Sequence, residues 1–285
     1  MTDHTLTTVL DGLAFGEGPR WHDGRLWFSD MHAKHVIATT PDGDAETICE
    51  VAQQPSGLGW DLQGRLLVVS MIDRRLLRLE ADGTLSEVAN LFELAPFHCN
   101  DMVVSATGHA YVGNFGFDYG LPGVEPNNTN VVRVAPDGTA SEAAGDLGFP
   151  NGMVITPDGG TLIVGESFGF RLTAFDIAPD GTLFNRRLWA QLDGATPDGI
   201  CLDAEGAIWL ACPMSHRVVR VAGGGRILDE VSVGDRNAYA CMLGGDDRRT
   251  LFVCTAESSN PAKTLPKMTG RIENTRVDVP GAGLP

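Results

Sequence analysis

One short sequence pattern recurs six times along almost the whole chain. Each copy starts with a polar residue and continues with an apolar pair, a turn and a run rich in β-branched and aromatic residues. Repeats of roughly 40 to 50 residues indicate a propeller or a solenoid, because a unit of this size cannot bury its apolar face alone. The copies are EGPRWHDGRLWFSD from Glu17, SGLGWDLQGRLLVVS from Ser56, NDMVVSATGHAYVGN from Asn100, NGMVITPDGGTLIVGE from Asn151, DGICLDAEGAIWLAC from Asp198 and CMLGGDDRRTLFVCT from Cys241.

The β-rich runs predict the fold class. They recur as LWFS, LLVVS, AYVGN, LIVGE, IWLAC and LFVCT, and turn sequences such as PDG and ADG follow them. Each repeat is expected to form about four short strands, so the sequence predicts an all-β fold, a six-bladed β-propeller with four-stranded antiparallel blades. Because no linker interrupts the repeats, residues 1–285 are expected to form a single domain.

Closure of such a ring requires that the last blade take a strand from the other end of the chain. The opening TLTTVLDG (residues 5–12) and the tail TGRIENTRVDV (residues 269–279) are both suited to this. Pairing the opening segment into the sixth blade would remove the open edge of the ring.

Composition argues against several classes of function. The formal net charge is −16, whereas nucleic acids and anionic membranes require a basic surface. The apolar stretches have the length of strands and are too short to span a membrane. The start of the chain lacks the basic and apolar parts of a secretory signal, so the cytoplasm is the expected compartment. The six cysteines are dispersed without a C-x-x-C pair and are expected to be reduced.

The first residues of the copies would meet near the axis of a closed ring. Carboxylate and amide oxygens are ligands that a divalent cation such as calcium prefers. Single Asn-Gly or Asp-Gly pairs are equally typical of turns. A turn does not explain Glu17 in the same register, nor two acids at one axis without a neutralising charge. The candidate ligands are therefore Glu17, Asn100, Asn151 and Asp198.

The motifs FGEGPRW, PSGL, FPNGM and TPDGICLDAEG, together with the Asn-Asp pair of the third repeat, carry a family resemblance. The chain resembles, over essentially its whole length, the gluconolactonase, senescence marker protein and luciferin-regenerating enzyme family, whose distant relatives include diisopropyl fluorophosphatase. The resemblance implies a six-bladed propeller with one divalent ion near its axis, calcium first and zinc or manganese as alternatives. It further implies Glu17, Asn151 and Asp198 as metal ligands, Asn100 as a metal-binding or substrate-binding residue, and Asp198 as the catalytic carboxylate.

The chain departs from that family at one position. Family lactonases that act on sugar acids often carry an arginine two residues before the third-repeat asparagine, where this chain has His98. An arginine offers a fork of donors, whereas a histidine offers one or two. This argues against D-glucono-1,5-lactone as the natural substrate. Neighbouring aromatic residues suggest a more apolar ester-like ligand, although aromatic residues are also typical of simple packing: Phe97, Phe115, Phe117 and Tyr119.

The combined prediction is a metal-dependent hydrolase that opens a lactone or a related cyclic ester. The ion would polarise the carbonyl, and Asp198 would act as the general base on water. The small-molecule substrate would contact Asn100, His98, Ser56, Cys241 and Phe115. Two alternatives stay open: an organophosphate hydrolase in which Asp198 attacks phosphorus, and a non-enzymatic propeller that binds a metal or a ligand.

Three weaker signals lead to further expectations. GESFG (residues 165–169) matches a nucleophile elbow, but a strand-like run follows it instead of a helix, so Ser167 is not expected to be a nucleophile. His32 and His35 are expected at the surface, because no Cys or His cluster accompanies them. The turn-rich interval 115–130 is expected to form a loop over one mouth of the ring, where a substrate lid would sit.

Overall fold

A computed structural model describes residues 4–285, and short strands make up most of it. Between residues 4 and 285 the only α-helix is α1 (Pro261–Lys267), which confirms that no long helix is present. In chain order the strands are β1 (Thr7–Leu13), β2 (Gly16–His22), β3 (Arg25–Asp30), β4 (His35–Thr39), β5 (Ala45–Glu50), β6 (Pro55–Trp60), β7 (Leu66–Ser70), β8 (Arg75–Leu79), β9 (Leu85–Asn90), β10 (Cys99–Val104), β11 (Ala110–Asn114), β12 (Thr129–Val134), β13 (Ala140–Leu147), β14 (Pro150–Ile155), β15 (Thr161–Glu166), β16 (Arg171–Ile177), β17 (Leu183–Gln191), β18 (Ile200–Leu202), β19 (Ile208–Cys212), β20 (Arg217–Val221), β21 (Ile227–Ser232), β22 (Asn237–Gly244), β23 (Thr250–Ala256) and β24 (Gly270–Arg276).

These strands form six four-stranded antiparallel sheets, which are the blades of a propeller. Blades one to six have the strand orders β2-β3-β4-β5, β6-β7-β8-β9, β10-β11-β12-β13, β14-β15-β16-β17, β18-β19-β20-β21 and β22-β23-β24-β1. The first strand of each blade contacts the first strands of both neighbouring blades, and β22 contacts β2. The ring is therefore closed, and the predicted six-bladed β-propeller is confirmed.

The N-terminal strand completes the sixth blade, as the sequence predicts. Thr7 lies opposite Asn274, and Leu13 lies opposite Gly270, in the antiparallel pairing of β1 with β24. Without β1, the backbone groups of β24 would form an open edge. The assignment of residues 1–285 to one domain stays a prediction.

Burial decreases from the axis towards the rim of each blade. Every residue of β10 and of β14 is buried, whereas β5 is mostly exposed. An innermost strand is covered on both faces by the adjacent blades, so its sequence reads as an almost continuous apolar run, as in Met102, Val103 and Val104. The blades thus pack face to face through apolar side chains.

Glycine follows the polar residue in four of the six repeats, and the reason is close packing of blades. A Cβ atom on Gly152 would lie 2.5 Å from the backbone nitrogen of Ile200 and 2.6 Å from the carbonyl oxygen of Asp198. A Cβ atom on Gly199 would lie 2.4 Å from the Cβ of Ala240. These Asn-Gly and Asp-Gly pairs are therefore not turns. They let the backbone of the next blade approach the innermost strand.

Several other expectations are settled by the fold. No strand interrupts residues 115–128, so the interval after β11 is a loop, and its role as a lid stays a prediction. All six cysteines are free; five are buried and Cys49 is half-buried. Residues 4–285 contain no helix with the length and hydrophobicity needed to span a bilayer.

Gly152→Ala is expected to destabilise the fold, because its new methyl group would meet backbone atoms of blade five that cannot rotate away. Overpacking of this kind typically costs about 1–3 kcal/mol. The free energy of unfolding in urea, followed by circular dichroism, measures the effect. Gly223→Ala is the matched control, since its Cβ would lie 3.9 Å from the Trp189 ring. Equal stability of the two variants would contradict this account of the inner glycines.

Candidate functional site

Five of the six polar repeat positions lie at the same end of the innermost strands. Four of them are the second residue of their strand, namely Glu17 in β2, Ser56 in β6, Asn100 in β10 and Asn151 in β14. Asp198 precedes β18 and is held by two backbone hydrogen bonds: its N–H donates to the carbonyl of Ala211 at 3.0 Å, and its carbonyl accepts from Gly152 at 3.2 Å. The ring thus brings one polar side chain per blade to this end of the axis.

The sixth position is occupied by Tyr239 and not by Cys241. The N–H of Gly199 donates to the carbonyl of Tyr239 at 2.8 Å, just as Gly152 donates to Asp198. Tyr239 also lies at a register shift in the pairing of β22 with β23. The innermost pairs of blades one and four have the same kind of shift beside Glu17 and Asn151, so Tyr239, two residues before Cys241, is the equivalent position in blade six.

Cys241 belongs to the packed interior between blades. Its Sγ lies 3.5 Å from the carbonyl oxygen of Trp209 and 3.6 Å from that of Gly199, within an apolar cluster. Burial raises the pKa of the Cys241 thiol well above its usual range. Cys241 is therefore a neutral core thiol. Tyr239 is the residue of blade six at the axial position.

Glu17 and Asp198 are largely enclosed by protein, each with a small exposed fraction. Desolvation raises the pKa of Glu17 well above its usual range, the charges of Asp198 and Asp101 raise it further, and the Gly18 N–H opposes them. Desolvation likewise raises the pKa of Asp198 to about 8, opposed by a hydrogen bond from Asn151. The two carboxylates thus destabilise each other's charged form.

Arg20 is a buried cation whose charge lowers the pKa of Glu17, and it is hydrogen-bonded to another acid. Its guanidinium donates to the carboxylate of Asp101 and, at 3.0 Å, to the carbonyl of Leu58. Asp101 also accepts from the N–H of Met102 at 2.8 Å. Arg20 thereby ties blade one to blades two and three, and most of its charge is offset by Asp101.

The two amides of the site differ in their environment. The Nδ2 of Asn151 donates to Ser167 Oγ at 3.2 Å, and the Ser167 hydroxyl donates to the carbonyl of Pro197 at 2.7 Å. These two consecutive hydrogen bonds orient the Asn151 amide so that its oxygen points away from Ser167. The strand β16 follows Ser167, which confirms that the helix of a nucleophile elbow is missing here.

Asn100 carries a buried donor that the protein does not use. The residue is 6% exposed, and its Nδ2 has no hydrogen-bond partner. An unmet buried donor costs about 1–3 kcal/mol, so native structures seldom retain one without a ligand. This orphan amide is an independent indication that the axis binds something.

Apolar and aromatic side chains surround the polar positions at the same end. His98 stacks on Phe97 with 4.0 Å between ring centroids and lies 6.2 Å from Phe115. Desolvation lowers the pKa of His98, so its ring is mainly neutral at pH 7. Ser56 is buried beside them in the ring, and its carbonyl accepts from the Ser29 hydroxyl at 2.6 Å. The buried members of this cluster are Phe15, Met31, Met71, Phe115, Phe117, Phe149, Tyr239 and Ala256.

His32 is buried, which contradicts the expectation of a surface position. Its ring stacks on Phe15 at 4.6 Å, and its Nδ1 lies 2.7 Å from Thr264 Oγ1 in α1. Desolvation lowers the pKa of His32 to about 4. The sequence held no signal for this contact, because the loop that carries α1 lies more than 200 residues away in the chain. His35 begins β4 and is half-buried.

The residues at the axis fit a divalent cation. Residues 4–285 contain no group of three or more His, Cys, Asp or Glu side chains that could hold a metal. The candidate set at the axis is of a different kind, with two carboxylates and two amides. With Glu17, Asp101 and Asp198 ionised, the three acids and Arg20 sum to −3 + 1 = −2. A divalent cation would offset this charge, and an all-oxygen donor set suits calcium or manganese.

Arg20→Met is expected to destabilise the protein strongly, because the Asp101 carboxylate would remain buried without its partner and close to Glu17. Breaking a buried pair in this way costs about 3–5 kcal/mol. Urea unfolding measures the loss. Adding Asp101→Leu should recover part of it, since neither partner of the Arg20–Asp101 pair then leaves a buried charge behind. Arg276→Met, which breaks a surface pair with Asp247, is the control and should have a much smaller effect. Similar losses in the two single variants would refute the structural role of Arg20.

Comparison with known proteins identifies close similarity over the full length of the chain. A 6-deoxy-6-sulfogluconolactonase from Pseudomonas putida is 27% identical, over 100% of this chain and 99% of that protein. The structure of a gluconolactonase from Xanthomonas campestris is 26% identical with a TM-score of 0.75, and the match covers 98% of this chain and 90% of that one.

A luciferin-regenerating enzyme shares the fold, with a TM-score of 0.82 at 20% identity over 99% of this chain and 98% of that chain. In addition, residues 15–257 match the family described as SMP-30/Gluconolactonase/LRE-like region. This match extends from the loop before β2 to the residue after β23 and includes all the axial positions. The chain therefore belongs to the SMP-30/gluconolactonase/LRE-like family.

Proposed function

We propose that this protein is a divalent-metal-dependent lactonase that hydrolyses a lactone or a related cyclic ester. The observation that carries the proposal is the pair of enclosed carboxyl groups, Glu17 and Asp198, at one end of the ring, where burial makes ionisation of both unfavourable unless a cation is bound. A lactone as substrate class is supported by the names of relatives, a sulfogluconolactonase and a gluconolactonase.

The cation would be held by oxygen atoms of Glu17, Asn151 and Asp198, with Asn100 as a further ligand or as a contact to substrate. When bound, the cation would polarise the lactone carbonyl and stabilise negative charge on its oxygen. Ser167 affects metal binding indirectly, because its hydroxyl oxygen accepts a hydrogen bond from the Asn151 amide and so fixes the orientation of that ligand. Calcium is the first candidate, and zinc and manganese are the alternatives.

Asp198 is the proposed general base. Its carboxylate accepts a proton from the water whose oxygen bonds to the carbonyl carbon. The ring C–O bond then breaks, the leaving alkoxide oxygen takes that proton from Asp198, and the product is an open-chain hydroxy acid. Desolvation raises the pKa of Asp198 and makes the carboxylate a better proton acceptor, while a bound cation acts in the opposite direction. His98, Ser56 and Phe115 are proposed to border the substrate, together with Tyr239.

Asp198→Asn is expected to lower kcat by about 10²- to 10⁴-fold, because the amide cannot accept the proton from water. Steady-state kinetics on a lactone panel measures this loss, and circular dichroism verifies the fold. Asp193→Asn, at an exposed position, is the matched control and should retain full activity. Normal turnover by Asp198→Asn would refute the assignment.

Ser167→Ala provides the contrasting variant in the same experiment. Since Ser167 orients Asn151, its loss is expected to weaken metal affinity by about 10- to 100-fold, while kcat at saturating metal stays near that of the unaltered protein. A folded Ser167→Ala protein that is inactive at saturating metal would instead indicate a direct role in the chemistry.

Removal of the cation with a chelator is expected to abolish lactone hydrolysis, and added calcium, manganese or zinc should restore it. Elemental analysis of the purified protein and activity before and after metal addition measure both parts. Full activity after complete metal removal would contradict metal dependence. A protein that binds metal but hydrolyses no lactone, ester or phosphotriester would be a binding propeller and not an enzyme.

A further inference from the structure

Seven ring-bearing side chains form a continuous group at the mouth of the ring, above the axial carboxylates. We call this group the aromatic wall, and its members are Phe97, His98, Phe115, Phe117, Tyr119, Phe149 and Phe168. The group is built around Phe149, whose ring centroid lies 4.6 Å from that of Phe115 in a stacked arrangement and 5.1 Å from that of Phe168. Such spacing is typical of aromatic rings in direct contact.

The wall adjoins the axial residues, because Phe115, Phe117 and Phe149 pack in the same buried cluster as Tyr239. The ring of Tyr119 lies 5.4 Å from Phe115 and 5.8 Å from Phe149, centroid to centroid. After desolvation, the charges of Asp198 and Glu17 are the main causes that raise the pKa of the Tyr119 phenol. Tyr119 therefore connects the loop after β11 with the axial end of the ring.

Part of the wall is left uncovered by the protein itself. Tyr119 is 51% exposed and Phe168 is 44% exposed, although both rings contact buried members of the wall. Exposed aromatic surface next to enclosed polar groups is typical of a ligand site. A flat apolar group placed against these two rings would bury surface that now contacts water.

The wall offers few partners for hydroxyl groups. None of its seven members is Arg or Lys. Its polar groups are the Tyr119 hydroxyl and the mainly neutral ring of His98, each of which supplies one donor. The orphan amide of Asn100 supplies another. A hydroxyl placed against a phenyl ring loses its bonds to water without replacement, which disfavours a ligand that carries several. A charged group placed against these rings would lose its hydration in the same way, which disfavours an anionic ligand.

We propose that the aromatic wall selects uncharged lactones with a flat apolar ring over polyhydroxylated sugar lactones. The proposal rests on the lactonase function proposed above and specifies the class of substrate. In this arrangement the apolar ring of the ligand contacts Tyr119, Phe149 and Phe168, and the ester group faces Asn100 and the axial carboxylates.

Binding of two uncleavable analogues to the complete protein tests the proposal without requiring turnover. The probes are a δ-lactam fused to a benzene ring (3,4-dihydroquinolin-2-one) and D-gluconolactam, both titrated by calorimetry in the presence of calcium. The benzo-fused lactam is expected to bind at least about tenfold more tightly. Phe168→Ala and Tyr119→Ser, both at exposed positions, should each reduce this preference severalfold. Phe184→Ala, on the outer strand β17 of blade four, is the matched control and should leave it unchanged.

Equal or tighter binding of D-gluconolactam, binding of neither lactam, or an unchanged preference in both wall variants would overturn the proposal. Hydrolysis of 3,4-dihydrocoumarin and D-glucono-1,5-lactone is measured in parallel. If the benzo-fused lactam is preferred but no lactone is hydrolysed, the lactonase function fails and the ligand preference stands. If D-glucono-1,5-lactone is hydrolysed faster and its lactam is preferred, the function stands and the role of the wall is refuted.

Discussion

The mutual repulsion of Glu17 and Asp198 is the constraint on which the axial site depends. Both carboxylates are largely removed from water, and the charge of each makes ionisation of the other less favourable. The guanidinium of Arg20 lowers the pKa of Glu17 but is hydrogen-bonded to Asp101, which adds a further negative charge. In our proposal a divalent cation resolves this repulsion. Its binding would then stabilise the fold as well as support the chemistry, since ligand binding to the native state adds to stability.

The propeller creates this arrangement by repeating one backbone contact around the ring. Gly152 and Gly199 let neighbouring innermost strands approach until their backbones hydrogen-bond to each other. The side chain just before each glycine is then held at the same end of the axis, whatever its chemical type. Six blades can therefore present six different groups in one place, while the packing that holds them remains similar from blade to blade. For this reason the fold alone does not specify the reaction, and the axial residues do.

The mouth of the ring combines two opposing environments within a short distance. The axial end carries two enclosed carboxyl groups, and the aromatic wall above it supplies apolar surface with few hydrogen-bond donors. The loop after β11 contributes to both, because Phe115 packs among buried residues while Tyr119 remains partly exposed. His98, at the edge of the wall, is mainly neutral and therefore adds no charge to this apolar surface. Together these features favour a ligand with one polar reactive group and an apolar body.

The sequence by itself determined the number of blades, the strand cores, the closure of the sixth blade by the N-terminal strand and the family, because these depend on local patterns repeated along the chain. It also singled out Glu17, Asn100, Asn151 and Asp198, because each is the polar residue that begins its repeat. Only the tertiary structure placed Tyr239 instead of Cys241 at the sixth axial position, because the hydrogen bond from Gly199 to the Tyr239 carbonyl joins two blades and has no local signal in the sequence. It alone decided that His32 is buried under α1 and that Arg20 binds Asp101. Those contacts join residues of different blades, and the pairing of side chains across blades depends on how closely the backbones approach, which no local pattern encodes.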